Sequence, residues 1–316
     1  MASEETGTAP SRGLITMAFG HQRYLDMAKS LARSLELHAP HIPRAVLTDS
    51  ADEELKALFT HVIPYQAEFG LCVGPKFYMD RYSPFDETLF VDSDCLALTN
   101  LDVFWEAFAG QYFGVGGWRV LVRGDQDPYI DVDYVLDQFG VEGLPKFNGG
   151  TYYFRRCDET TRFFDTARDL QSRASSLHVG NFRDGGAPDE PIFSLAMAIH
   201  GLKHTSMGEG GMWTPIQSTG PIKLDAIRGT CSFVKEGRKV SPDIIHFAGE
   251  YAKCFAYPRE CARLKRHFDG GPYLTVALAK AFTEYLPWQI SRSSRSFAKK
   301  MLKQNAVIWV RNFASR

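Results

Sequence analysis

The chain has no run of 18 or more apolar residues, so no membrane-spanning helix is expected. It has no Cys-x-x-Cys pair. Its six cysteines, Cys72, Cys95, Cys157, Cys231, Cys254 and Cys261, are scattered, which argues against a structural zinc site and fits no disulfide framework. Reduced thiols that mostly fill core space are expected. Residues 1–12 lack the basic start and apolar stretch of a signal peptide and carry Glu4 and Glu5 instead, so a cytoplasmic protein is expected. There is no charge excess either: 36 Lys/Arg against 37 Asp/Glu give a net charge of −1, and nucleic acid is not an expected partner. No internal repeat and no low-complexity linker breaks up the 316 residues. The simplest division is a flexible N-terminus over 1–12, one domain over 13–287 and a C-terminal extension over 288–316.

With 44% hydrophobic and 23% charged residues, the composition is that of an ordinary globular domain. Leu14-Ile15-Thr16-Met17-Ala18-Phe19 is a continuous apolar run, the pattern of a buried parallel strand. Tyr24, Met27, Ala28, Leu31, Ala32 and Leu35 then repeat at three and four, and Pro40 lies beyond their end, which marks a helix. Ala45–Thr48 reads as a second strand, Asp52–Phe59 as a short helix and His61–Ile63 as a third strand. This alternation predicts βαβ units with right-handed crossovers, hence an α/β fold with a mostly parallel central sheet flanked by helices. A helix across Lys76–Arg81 leads into a strand that ends in Thr88-Leu89-Phe90-Val91-Asp92-Ser93-Asp94. Farther on, Tyr112–Gly117 and Thr151–Phe154 read as strands, Glu190–Ile199 as a helix entered through Pro188-Asp189, and Asp243–Phe247 as a late strand. The acidic stretch 119–146 and the stretch 207–240 read as loops and short helices that border a site.

Chemistry concentrates in four places. Asp92 and Asp94 are spaced i, i+2, so on an extended strand they share a face and can converge on one cation. Alternatively they only cap the turn after the strand. His246 ends an apolar strand, where a histidine is more often structural, but it opens His246-Phe247-Ala248-Gly249-Glu250-Tyr251-Ala252-Lys253. Gly249 there allows close backbone approach to a ligand, and Lys253 can reach an anionic oxygen. Two carboxylates and one imidazole suit Mn²⁺, or Mg²⁺ less specifically, with the oxygens of a phosphate-bearing ligand completing the shell. Asn148-Gly149-Gly150 marks either a bulge or a place where a sugar lies against backbone. Asp189 is a good helix N-cap and can also face a pocket.

In this order the motifs resemble those of GT-A (Rossmann-like) fold glycosyltransferases, and most of all glycosyltransferase family 8, over residues 13–255. The resemblance rests on the first strand and helix, Asp92-x-Asp94, Phe147-Asn148-Gly149-Gly150, the Asp189 helix and His246-x-x-Gly249-x-x-x-Lys253. It implies a nucleotide-sugar donor, usually UDP-linked, a Mn²⁺ ion and transfer to a hydroxyl acceptor with retention of configuration. By position it places Asp92, Asp94 and His246 on the metal, with Asp92 also near the ribose. Lys253 falls on the diphosphate beside Gly249, and Asn148, Gly149 and Asp189 on the donor sugar. Ala18, Tyr24 and Asp49 border the nucleotide, and Lys76 is within reach of the donor. Asp189, Asn148 and Lys253 are the candidate catalytic residues. Cys254-Phe255 follows Lys253 where the family commonly has Pro-Trp, and Glu190 follows Asp189 where it often has Gln. A haloacid-dehalogenase-like phosphatase also uses aspartate-x-aspartate after a strand, but near its start. A sugar nucleotidyltransferase would need a Gly-rich, Arg-containing loop where this chain has Phe19-Gly20-His21-Gln22. A non-catalytic nucleotide-sugar-binding protein of the same fold is the remaining alternative.

From Gln289 to Arg316 there are seven Lys/Arg and no acid, leaving 29 basic against 37 acidic residues elsewhere, a balance of −8. Ala298, Met301, Leu302, Asn305, Ala306, Trp309, Val310 and Phe313 follow helical spacing with Lys299, Lys300, Lys303 and Arg311 largely off that stripe. Such a helix either docks on the domain or lies on a membrane surface, which would suit a glycolipid acceptor at the inner face. Sedimentation with anionic vesicles separates the two. The anchor requires the full chain to sediment and a chain lacking 289–316 to stay in the supernatant; equal binding by both ends that idea.

Overall fold

The computed structural model describes residues 11–182 and 186–270. They divide into two compact units, one ending at His246 and one beginning at Phe247. The tail helix expected beyond residue 288 lies outside the described residues.

The first unit opens with β1 (Arg12–Met17), α1 (Gln22–His38), β2 (Arg44–Thr48), α2 (Glu53–Leu58) and β3 (His61–Pro64). A 3₁₀ turn over Gly74–Tyr78 and the short α3 (Met79–Tyr82) stand where one continuous helix is expected from sequence. Then come β4 (Glu87–Val91), β5 (Cys95–Ala97), α4 (Asp102–Ala107), β6 (Phe113–Gly114), β7 (Gly117–Leu121), α5 (Val132–Phe139), β8 (Leu144–Phe147) and β9 (Thr151–Arg155). They are followed by α6 (Asp158–Ser172), α7 (Asp189–Ile199), β10 (Met212–Trp213), β11 (Ser218–Asp225), β12 (Thr230–Lys235), β13 (Arg238–Val240) and β14 (Ile244–His246). The second unit holds a 3₁₀ turn over Gly249–Lys253 and α8 (Ala256–Asp269).

The central sheet has the order β3-β2-β1-β4-β9-β6. Its first four strands are mutually parallel, whereas β9 runs antiparallel to both β4 and β6. This arrangement decides where a site forms. The C-terminal ends of β1, β2 and β4 share one edge, and the antiparallel β9 begins at that same edge. Ligands of open α/β sheets bind there.

Alternation along the strands sends side chains to two cores. Ile15, Leu47, Phe90, Tyr152 and Phe154 face Phe163 and Phe164 of α6 and Ile192 and Phe193 of α7. Leu14, Leu89, Val91 and Tyr153 face Leu31 and Leu35 of α1 and Phe104 and Trp105 of α4. Leu31 and Leu35 are fully buried, each a contribution of roughly 1.5–3 kcal/mol.

The stretches read from sequence as loops have more structure than expected. Residues 119–146 contain β7, α5 and β8, with β7 and β8 paired antiparallel. Residues 218–240 form the antiparallel meander β11-β12-β13. Their polar, turn-rich composition hides strands that pair only with each other. The six cysteines are free thiols, but only Cys95 and Cys254 are buried, so the expectation of core filling holds for two of them.

Between α1 and α2, Lys29 Nζ donates to Asp52 at 2.7 Å and to Glu54 at 2.8 Å, and Arg33 also binds Glu54. Burial pushes the Glu54 carboxyl up, but the hydrogen bonds from Lys29 and Arg33 outweigh it and hold the group down to about 2, below its ordinary 4.5. A depressed folded value stabilises the fold above pH 4.5, and that stabilisation is lost as pH falls from 4.5 to about 2. Glu54→Gln is expected to flatten the acid limb of the Tm-against-pH curve in this window. An unchanged limb would mean the pair contributes nothing.

Candidate active site

β4 ends at Val91, and Asp92-Ser93-Asp94 turns the chain into β5, with the Cys95 amide donating to Asp92 O at 3.1 Å. The two acids therefore converge through a turn and not through strand alternation as expected. Asp92 N donates to Gly150 O at 2.9 Å, which ties this turn to the start of β9. On the other side, β14 pairs antiparallel with β5 and sets His246 directly opposite Cys95. Two pairings thus bring residues 92–94, 148–150 and 246 together from distant parts of the chain.

His246 Nε2 lies 3.0 Å from Asp94 Oδ1 and 3.7 Å from Asp92 Oδ2, and its side chain is 6% exposed. Its Nδ1 sits 2.6 Å from Asn148 Oδ1. A carboxamide oxygen only accepts, so Nδ1 carries a hydrogen, and Nε2 is the ring atom turned to the two acids: it donates to Asp94 in the imidazolium and would be the ligating atom of the neutral ring. Burial opposes a charge on His246, but Asp94 and then Asp92 outweigh it and raise its pKa. Burial pushes Asp94 up, and the imidazolium more than reverses this, so its pKa is lowered. Burial raises Asp92 despite Lys76 and His246. Asp92 is raised further by the neighbouring Asp94 and Asp189 carboxylates, whereas Asp94 also accepts a hydrogen bond from His246. A divalent cation would take the place of the imidazole proton between these carboxylates. The set fits such an ion on its chemistry: two carboxylates and an oriented imidazole suit Mn²⁺ or Mg²⁺. Cys95 also has its sulfur grouped with ligand atoms of Asp94 and His246, all within 4.8 Å of one another. Burial, then Asp94 and Asp92, push its thiol up, so it is the weaker donor.

Lys76, expected to reach a donor, is instead an internal cation. Its Nζ donates to Asp92 Oδ2 at 2.9 Å, Asp189 Oδ2 at 2.9 Å and Gly149 O at 3.0 Å, which satisfies all three hydrogens. Burial lowers its pKa, and Asp189 and Asp92 more than restore it, so the ammonium stays charged. Asp189 is the first residue of α7 and does not cap it; Pro188 holds the cap position. The Asp189 carboxylate is turned inward, where it also accepts from the Tyr152 hydroxyl at 2.6 Å. Glu190 accepts from the Gly149 amide at 2.8 Å.

Gly149 and Gly150 are required for space. A Cβ on Gly149 would stand 2.6 Å from Asp189 Oδ2 and from the Tyr152 hydroxyl, and one on Gly150 2.4 Å from His246 Nδ1. The bodies that approach this backbone are the chain's own site residues.

Of the remaining candidates, Ala18 is buried just past β1 and donates from its amide to Leu47 O at 2.8 Å. Asp49 follows β2 and accepts from the Gly20 amide at 3.0 Å. Tyr24, in the first turn of α1, lies under the Arg23 guanidinium at 4.6 Å. Gly249 and Lys253 belong to the second unit. Gly249 has a positive φ of 60°, and Lys253 Nζ meets Glu250 at 3.2 Å. Sequence reasoning did not include Tyr152 or Cys95, nor the grip of Glu190 on Gly149. Tyr152 lies two residues past Gly150 at the start of β9, and that nearness to the glycine pair is the signal that could have found the first.

No protein-family model matches the chain, and no curated protein does. Solved structures do. The galactosyltransferase LgtC, in complex with donor and acceptor sugar analogs, superposes with a TM-score of 0.54 at 15% identity over 82% of this chain and 97% of that one. An active-site mutant of LgtC gives 0.51 at 15% identity over 75% and 87%. The bifunctional glycosyltransferase WbbM gives 0.54 at 9% identity, over 87% of this chain and 52% of that one. The chain has the GT-A fold of glycosyltransferases, as the motifs led one to expect.

Lys76→Met leaves Asp92 and Asp189 buried without their counter-charge. Removing one partner of a buried pair costs about 3–5 kcal/mol, so urea unfolding should show a loss of that size. A loss under about 1 kcal/mol, the range of an ordinary surface substitution, would contradict the role of Lys76 as the internal cation.

Proposed function

We propose that this chain is a metal-dependent hexosyltransferase, moving a sugar from a nucleotide-sugar, with UDP the expected nucleotide, to a hydroxyl of a carbohydrate, glycolipid or other acceptor. What supports the reading most directly is the meeting of the His246 imidazole with Asp94 at 3.0 Å and Asp92 at 3.7 Å, at the strand exits of a GT-A fold. Asp92, Asp94 and His246 would hold the metal ion, which would supply Lewis-acid neutralisation of the departing diphosphate. Lys253 is the candidate second cation for that charge. A unit pair at 4 Å is worth about 4 kcal/mol at an effective dielectric near 20. Asp189, clamped by Lys76 and Tyr152, offers a fixed negative charge to the sugar as positive charge develops at its anomeric carbon. Asn148 orients His246 and, with Gly149, borders the donor sugar. Ala18, Tyr24 and Asp49 border the nucleotide. In the retaining course that the family resemblance implies, the acceptor hydroxyl attacks the face from which the diphosphate departs. A phosphate oxygen then accepts its proton, so no dedicated protein base is needed. The setting consistent with this reading is cytoplasmic, with the basic tail as a peripheral membrane contact.

A thermal-shift series with UDP-glucose and UDP-galactose, with and without MnCl₂, tests the reading. A ligand at a hundred times its Kd stabilises the native state by about 2.7 kcal/mol, and the shift is expected only with Mn²⁺ present. Asp94→Ala should stay folded, lose the Mn²⁺-dependent shift and lose transfer by about a hundredfold or more. Full transfer by that variant refutes the metal role. Donor binding without any transfer by the wild type would favour a non-catalytic binding protein.

A further inference from the structure

Two tryptophans stand beside the site on neighbouring strands. β8 delivers Phe147 and then Asn148, while β14 delivers Ile245 and then His246. Gly117 of β7 is paired with Phe147, and Trp213 of β10 is paired with Ile245. Adjacent strands lie about 4.8 Å apart, so Trp118 and Trp213 flank the backbone that carries the two site residues. The β7–β8 register shifts between Gly117 and Arg119, which makes Trp118 the extra residue of a bulge. Bulges next to active sites re-aim a side chain. Trp118 is aimed outward and is 40% exposed.

The indoles lie 6.5 Å apart between centroids and within 24° of parallel. That separation is toward the far end for ring pairs and well beyond the 4.3 Å of Phe19 on Tyr65, so the pair is not closed on itself. Trp213 is fixed: its Nε1 donates to Gly210 O at 2.7 Å. Lys235, nearly buried, donates to Thr214 O at 3.1 Å and holds its ammonium 5.9 Å from the Trp213 ring. On β8, Lys146 pairs with Asp127 at 2.7 Å and lies 4.0 Å from Glu190. An aromatic pair with the Lys235 ammonium beside it is thus held on strands next to those that lead into Asn148 and His246, although burying either indole would be favourable.

We propose that Trp118 and Trp213 form the acceptor subsite, on which one pyranose ring rests its apolar C–H face while its hydroxyls meet the polar rim. This deepens the glycosyltransferase reading and rests on it. A flat indole pair suits a sugar ring because a pyranose is apolar on one face and polar around its edge, and a small number of polar groups then sets orientation. Trp118 is a binding residue here, and Trp213 is its rigid partner.

Saturation-transfer NMR on the full chain, with methyl β-galactopyranoside, methyl β-glucopyranoside and uridine as probes, tests this. Saturation of the ring C–H protons of at least one glycoside is expected for the wild type. Trp118→Ala should weaken that glycoside about tenfold, and Trp118→Phe, which keeps a ring, should weaken it less. The Mn²⁺-dependent nucleotide-sugar shift should persist in both variants, which also shows that they fold. Equal glycoside signals in wild type and Trp118→Ala overturn the platform, as does a wild type that saturates no glycoside. Trp118-dependent saturation of uridine alone overturns it too. If glycosides bind through Trp118 while no nucleotide-sugar shifts the melting point, the platform stands and the donor reading falls.

Discussion

The site depends on one buried ammonium. Lys76 Nζ holds Asp92, Asp189 and the Gly149 carbonyl at 2.9, 2.9 and 3.0 Å. These groups come from the end of β4, the start of α7 and the loop before β9, and no backbone pairing could join all three. Buried carboxylates at this density would repel one another and lose hydration. A cation with three donors satisfies all three and offsets their charge. Stability and pre-organisation therefore share one residue.

Around that cation the polar groups form a continuous chain. Glu190 holds the Gly149 amide, Tyr152 holds Asp189, Asn148 holds the His246 ring and the ring faces Asp94. Each link fixes the next side chain, including the tautomer of His246. A network satisfied this fully is rigid, because displacing one member leaves a buried group without a partner. The two glycines belong to the same constraint. Their missing side chains are the volume into which Asp189, Tyr152 and His246 pack.

The scaffold explains why the network sits where it does. The parallel strands β1, β2 and β4 end at one edge, and β9 starts there in the opposite direction. The second, smaller pairing of β5 with β14 then brings His246 against the acidic turn. The two tryptophans come from strands one step farther out, so the candidate site and the proposed acceptor platform share the same strand neighbours.

By itself, the sequence determined the period-driven elements. The apolar run through β1, the three-and-four spacing of α1 and the β-α-β-α order required an α/β sheet, because an amphipathic helix and a buried strand have no other way to cover their apolar faces. Residue chemistry also marked Asp92, Asp94, Asn148, Asp189 and His246, through their order along the chain, since each alone is equally well explained by capping or packing. The tertiary structure alone decided how these residues meet. It replaced strand alternation with a turn at 92–94, turned Asp189 from a helix cap into a ligand of Lys76, and made Lys76 an internal cation. It also revealed β7, β8 and the β11–β13 meander. Their polar alternation is weak, and their pairing is with each other and not with the core sheet. The contacts that assemble the site join residues from tens to more than a hundred positions apart, and local periodicity carries no record of which strand will lie beside which.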